Sequence, residues 1–289
     1  MRAHETGNNA VDAAAYDTAR LEYKEQWLQW HSRREEILTS PHGFLSIVDL
    51  TWLTDHRDVT VPSFPGSWRQ DGDTITYIPD LNRVVNINGL PVLSERGYIV
   101  KAEEDADVAL LTFNDVKAEL IKRIGGTRTF AVRVRDPKSK LIADYPGTPY
   151  FEPDPKWIIP ARFEPAQDKD TIVSVPASVD GLSHNEHVVG VLNVTVDGRE
   201  YPLTVFQGFH DNSGIILFRD ATSGKETYGG SRIITIGNLD PDALRTLDFN
   251  HALNLPCAYT PFCTCPFAPL QNHLPFAVTA GEKKPLGHE

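Results

Sequence analysis

Apolar and polar positions recur with a helical period from about Val11 to Leu38. Tyr16, Ala19, Tyr23, Trp27, Trp30 and Ile37 fall at steps of three, four or seven, so they share one face of a helix. Arg20, Glu22, Lys24, Glu25, Arg33, Glu35 and Glu36 take the other side. Such a stripe predicts an amphipathic helix packed on a sheet. Its end is predicted near Thr39-Ser40-Pro41-His42-Gly43, because proline cannot continue a helix and glycine permits a turn.

Beyond Gly43 the period changes to two. "DTITYIPD", "RVVNINGLPVL", "VALLTF", "KAELIKRI" and "TRTFAVRV" read as strands, with Gly125-Gly126 as a hairpin turn between the last two. Short strands with little helix predict a small β-sandwich-like region over residues 43–143. A proline-dense stretch follows, "RDPKSKLIADYPGTPYFEPDPKWIIPARFEPA", in which a helix and a central strand are both unexpected. Its Tyr145, Tyr150, Phe151 and Trp157 predict an extended segment anchored on a core, and a domain boundary is placed near Asp144. From there "HVVGVLNVTV" and "REYPLTVFQGF" flank the turn Asp197-Gly198, and "GIILFRD" and "TSGKETYGGSRIITIG" continue the strands. "DPDALRT" suggests a single helical turn, and "LPFAVTAGEKK" a closing strand. The expected fold is mainly β. It comprises an N-terminal helix (1–42), the sandwich-like region (43–143) and a C-terminal antiparallel barrel or sandwich (144–289) with a Pro/Cys-rich irregular loop.

Composition narrows the partners. The 289 residues are 40% hydrophobic, enough for a substantial core, and the net charge of -11 disfavours nucleic acid and anionic lipid. No apolar run is long enough for a spanning helix, and the polar N-terminal stretch lacks the apolar core of a secretory leader. Three clustered cysteines make no disulfide framework, and they fit a reducing, cytoplasmic setting.

Two stretches could carry chemistry. In "FRDATSGKETYGGSR" the N–H groups after Thr222, through Ser223 and Gly224, can converge on one point, and Arg232 can fork onto a carboxylate or phosphate. The plain alternative is an ordinary turn with Arg232 paired to Asp220 or Glu226. In "LDFNHALNLPCAYTPFCTCPFAPLQNHLPF", Cys257, Cys263 and Cys265 with His251 or His273 could make a Cys₃His zinc site, although the spacing is unlike a zinc knuckle. The favoured reading is a proline-stiffened loop with inward thiols, its backbone satisfied by Asn250, Asn254 and Asn272. "HNEH" (184–187) reads as a polar loop with a weak metal pair, and Asp154 and Glu164 as a conceivable acid–base pair. Nucleotide loops, G-x-S-x-G and H-E-x-x-H are absent.

Together, "GTPYFEPDPKWIIPARFEP", "FRDATSGKETYGGSRII" and "LDFNHALNLPCAYTPFCTCPFAPLQNHLPFAVTAGEKK" resemble domain-of-unknown-function family 1684 over roughly Asp144 to Lys284. The resemblance carries over to Asp220, Thr222, Ser223, Gly224, Glu226, Thr227, Tyr228, Gly229 and Arg232. It also includes Asp248, Asn250, Asn254, Cys257, Cys265, Asn272, Gly281, Glu282 and Lys283. Ser231 and Leu255 depart from the family pattern, and Cys263 and His251 lie outside it. The region from "GFLSIVDLTWL" to "FAVRVRD" also resembles a forkhead-associated-like sandwich, with Ser67 and Arg69 as its phosphate-binding candidates. The polar motif implies a pocket for a small polar or anionic metabolite. Thr222, Ser223, Gly224, Tyr228, Arg232, Asn250, Asn254 and Lys283 would bind the ligand, and Asp220 or Glu226 would act as base. No cofactor is expected. The alternatives are a protein-interaction module and a metal-dependent hydrolase built on the cysteine loop.

Overall fold

A computed structural model describes residues 6–93, 95–101, 107–123, 129–168 and 170–287, with backbone alone over 6–16 and 107–110. The chain is mainly β with one long N-terminal helix, Thr6–Thr39. The Gly125-Gly126 turn and the side chain of Tyr16 lie outside the described residues.

Two sheets enclose the first core. A six-stranded sheet runs in the order Ile47–Trp52, Phe130–Arg135, Val116–Lys122, Asp107–Phe113, Asn86–Ile87, Leu90–Pro91. A four-stranded sheet, Asp58–Thr60, Ser67–Asp71, Thr74–Ile78, Tyr98–Val100, faces it. Trp68, Ile75 and Tyr77 from one sheet meet Ala118, Leu120, Phe130, Val132 and Val134 from the other. Because side chains alternate along a strand, Glu119, Arg133 and Arg135 fall on the opposite face. They are buried there too. That face is covered by the rest of the chain.

The second core belongs to a curled antiparallel sheet. Its order is Thr246–Asp248, Ile158–Pro165, Ser183–Val196, Arg199–Gln207, Gly214–Phe218, Arg232–Ile236, Leu253–Asn254, and Ile172–Pro176 pairs with Ser183–Val196. One side is filled by Phe163, Leu192, Leu203, Val205, Ile216 and Phe218. The other carries Phe206, Ile215 and Leu217, and the three cysteines lie on it together with Ile47. At the predicted hairpin, Asp197 and Gly198 have φ of 50° and 74°, the paired left-handed geometry that favours this dipeptide.

Several expectations are corrected. The proline-dense stretch contains a four-residue helix, Lys140–Ala143, capped by the Ser139 hydroxyl. It also contains a strand flanked on both sides, Ile158–Pro165. Proline is tolerated because the two neighbours use different halves of that strand: Ile158–Pro160 pair with 246–248, and 161–165 with 190–194. "DPDALRT" forms turns without a helix, and "LPFAVTAGEKK" is irregular apart from a bridge between Tyr150 and Glu282. His184 to His187 lie inside a strand, where a separation of three puts the two rings on opposite faces, so they are no metal pair.

The helix meets the two end strands of the curled sheet and the short turn that joins them. Tyr23 donates to Asp248 at 2.5 Å, Trp27 Nε1 to the Asn250 carbonyl at 2.7 Å, and Arg34 Nη2 to the Asn254 carbonyl at 3.0 Å. Trp27 stacks on His31 with centroids 4.7 Å apart and also meets Tyr150. Ile37, placed on the apolar face by periodicity, is exposed. The inward side carries Trp27, His31 and Leu38, which are buried, and Tyr23, Trp30, Arg34 and Glu35, which are half-buried; among them His31, Arg34 and Glu35 are groups that the sequence assigns to solvent or leaves unplaced. Replacing Trp27 by Ala removes a buried ring and its hydrogen bond, so a loss of about 3–5 kcal/mol is expected in urea unfolding.

Candidate functional site

The predicted polar motif folds inward. Asp220 accepts from the hydroxyls of Thr222 (2.8 Å) and Ser223 (3.1 Å) and from the Val278 N–H (2.6 Å). Thr222 and Thr227 hydroxyls lie 2.8 Å apart. The turn's N–H groups do not converge on a guest: Ser223 donates to the Asp220 carbonyl, Gly224 to Thr227, and Lys225, Glu226 and Thr227 to Thr222. Arg232 is 1% exposed and sits 3.4 Å from Asp220. It donates to the carbonyls of Ala280 (2.5 Å) and Val278 (3.1 Å), with the Phe218 ring beneath it. Burial pulls its pKa down to about 10, with Asp220 and Glu282 opposing, so it stays charged at neutral pH. Arg232 and Asp220 therefore bind each other and the chain, which corrects the expectation of an anion fork and a solvent-facing base. Glu226 is exposed, away from this knot.

The remaining motif residues also serve architecture. Asn250 bonds both backbone groups of Asp154 and the Asp248 carboxylate. Asn272 ties Thr204 to the Leu217 carbonyl. Lys283 lies over the Phe151 ring. Tyr228 packs beside the cysteines, where burial and Cys257 raise its pKa. The three thiols are buried and free. Hydrogen bonding from Cys265 holds the Cys257 pKa below the usual thiol value, and the same pairing pushes Cys265 well above it. His251 lies elsewhere, against Asp248 at 3.0 Å and edge-on to Trp30. The thiols and His251 therefore face different surroundings. Asp154 caps a turn and Glu164 pairs with Arg162, each serving local structure. Arg69 is held by Asp58 and Asp71, each at 3.1 Å, on the outer face of its strand.

A hollow does exist, one wall away from the motif. Between the outer face of the first β region and the cysteine loop lies a cavity of about 430 Å³. Arg34 enters from the helix, Arg123 and Arg133 from the six-stranded sheet, and His184 from the curled sheet. Thr235, Asn254, Thr264 and two of the cysteines add to its polar lining, and Phe44, Ile47, Ile233, Leu253 and Leu255 supply apolar walls. Of the predicted ligand-binding residues, Asn254 alone reaches it. Arg123 Nε donates to the Thr264 hydroxyl at 2.9 Å, and Arg133 Nε to Glu119 at 2.7 Å. Glu119 is shared with Arg135 at 2.8 Å, so one carboxylate serves two guanidiniums. Among the described residues lining the cavity there is no Asp or Glu. The amide oxygen of Asn254 is buried without a hydrogen-bond partner.

Sequence reasoning missed Arg34, Arg123 and Arg133 as cavity residues, and it left the buried His31 beside them unplaced. A signal was present: His31, Arg34 and Glu35 stand four, seven and eight residues after Trp27, in phase with the helix stripe. In "FAVRVR" two arginines alternate within a strand buried throughout.

Residues 143–283 match the model of a family described as "Protein of unknown function (DUF1684)". Among solved structures, the chain is similar to the solution NMR structure of the uncharacterized protein from gene locus rrnAC0354 of Haloarcula marismortui. The two are 31% identical, the match covers 50% of this chain and 80% of that one, and the TM-score is 0.40. No curated protein matches.

Arg232→Ala leaves Asp220 buried without its counter-charge and frees the carbonyls of 278 and 280. Equilibrium unfolding should show a loss of about 3–5 kcal/mol.

Proposed function

This chain belongs to the DUF1684 family, and we propose that it binds a small anionic metabolite, a carboxylate or a phosphate ester, in the cavity between its two β regions. The observation that carries the reading is the convergence of Arg34, Arg123 and Arg133 from three elements on one hollow, with no acidic side chain among its described lining residues. Guanidinium groups match carboxylate and phosphate geometry and hold an anion through forked hydrogen bonds. A volume of about 430 Å³ suits a metabolite of modest size, with the apolar walls taking its carbon skeleton. A cationic hollow in a protein of net charge -11 also concentrates the field where the ligand enters.

Thermal unfolding in the presence of phosphorylated and carboxylated metabolites tests this. A ligand at a hundredfold or more above its Kd should stabilise the fold by about 3–4 kcal/mol. Arg34→Gln and Arg123→Gln should each remove the shift while circular dichroism still reports folded protein. A panel in which no anion raises the midpoint, or folded variants that keep the full shift, would overturn the reading.

A further inference from the structure

A second polar cluster lies behind Arg34, where the helix meets the C-terminal segment. His31 and Glu35 stand one turn apart on the helix. Glu282 reaches them because Gly281 has φ of 73° and packs its bare Cα side on Ala252, whose carbonyl a Cβ would meet at 2.5 Å. Its Oε2 is hydrogen-bonded, accepting from the Asn254 N–H at 2.6 Å and from Tyr259 at 3.2 Å. The other oxygen, Oε1, lies 3.4 Å from His31 Nε2, and neither atom has a hydrogen-bond partner. Glu282 is 0% and His31 5% exposed. Arg34 Nε, 3.6 Å from the same Oε1, also lacks a hydrogen-bond partner. Buried polar atoms without partners are uncommon and costly, and three of them gathered at one carboxylate oxygen mark a place for a ligand. Glu35 completes the arrangement. Its Oε1 is 3.8 Å from His31 Nε2 and accepts from Tyr145 at 2.8 Å, while Oε2 accepts from the Thr148 N–H at 3.3 Å.

We propose that His31, Glu35 and Glu282 bind one divalent cation. One ligand atom from each of the three lies within 4.8 Å of the others. A zinc ion about 2.0–2.2 Å from each donor needs donors about 3–4 Å apart, which small rotations of these side chains supply. One imidazole and two carboxylates suit zinc or manganese, and three oxygens and nitrogens are too few for calcium. Tyr145, Tyr259 and the Thr148 and Asn254 N–H groups fix the carboxylates from outside, as supporting residues do around metal ligands. Three protein ligands leave at least one coordination position for a water or a substrate. Arg34, which also lines the anion cavity, has its Nε 3.6 Å from the same Glu282 Oε1, so a bound cation shares that oxygen with the guanidinium. The proposal does not rest on that cavity.

The test uses the full chain stripped with EDTA and dialysed, then titrated with Zn²⁺ and with Mn²⁺ in a calorimeter. One equivalent of one of these ions should bind. Losing a supporting residue typically weakens a site 10- to 100-fold, so His31→Gln and Glu35→Gln, which remove ligands, should weaken it by about a hundredfold or more. Arg123→Gln, which empties only the anion cavity of a charge, should leave metal affinity unchanged. X-ray absorption of the zinc-loaded wild type serves independently of whether variants fold. It should show nitrogen and oxygen neighbours at about 2.0–2.1 Å and no sulfur at about 2.3 Å. The absence of saturable binding by both ions, folded variants that bind like the wild type, or a sulfur shell from the cysteines would each overturn the proposal.

Discussion

The arrangement of the C-terminal half turns on one buried guanidinium. Arg232 gathers the carbonyls of Val278 and Ala280 and the carboxylate of Asp220, and Asp220 in turn fixes the 220–227 turn and the Val278 N–H. A segment with no ladder of its own thereby acquires one conformation. That conformation delivers Glu282 to the end strand through the Asn254 N–H, and it places Lys283 against Pro149 and Asn254. The desolvation of Arg232 is offset only because several acceptors surround it at once. Polar residues at the heart of the family motif are thus explained by the needs of an irregular backbone, which must find hydrogen bonds wherever no sheet supplies them.

Glu282 passes that order on to the helix. It sits where His31, Arg34, Tyr259 and the Asn254 backbone meet, while Glu35 is held by Tyr145 and Thr148 from the proline-dense segment. The helix is therefore fastened mainly by polar and aromatic contacts to the end strands and the segments beside them, with Trp27 and Leu38 as its apolar anchors. Arg34 joins the cavity wall to the carboxylate cluster, donating to the Asn254 carbonyl and lying 3.6 Å from Glu282.

Much of the architecture is legible from periodicity. The helix and its stop at Thr39, the strands with period two and the Asp197-Gly198 hairpin all follow from local rules that the tertiary structure does not override. The closing strand at "LPFAVTAGEKK" fails because Arg232, far away in sequence, claims the carbonyls a ladder would have used. Ile158–Pro165 escapes the rule against proline in a flanked strand because its neighbours pair with separate halves. The site was legible only in part. A list of polar motif residues does not say whether they face each other or a guest, and here Asp220, Thr222, Thr227 and Arg232 face each other. The cavity's arginines come from elements distant in sequence, and nothing in local spacing reveals that they converge.

The contact between Trp27 and Asn250 spans 223 positions of the chain. During synthesis, at roughly 5–20 residues per second, the tryptophan emerges about 10 to 45 seconds before its acceptor. The tilted contact with Tyr150 and the carbonyl of Asn250 both come from later in the chain. The helix therefore cannot be seated on them until they are made, and over that interval its sticky indole face is on offer to whatever the nascent chain meets.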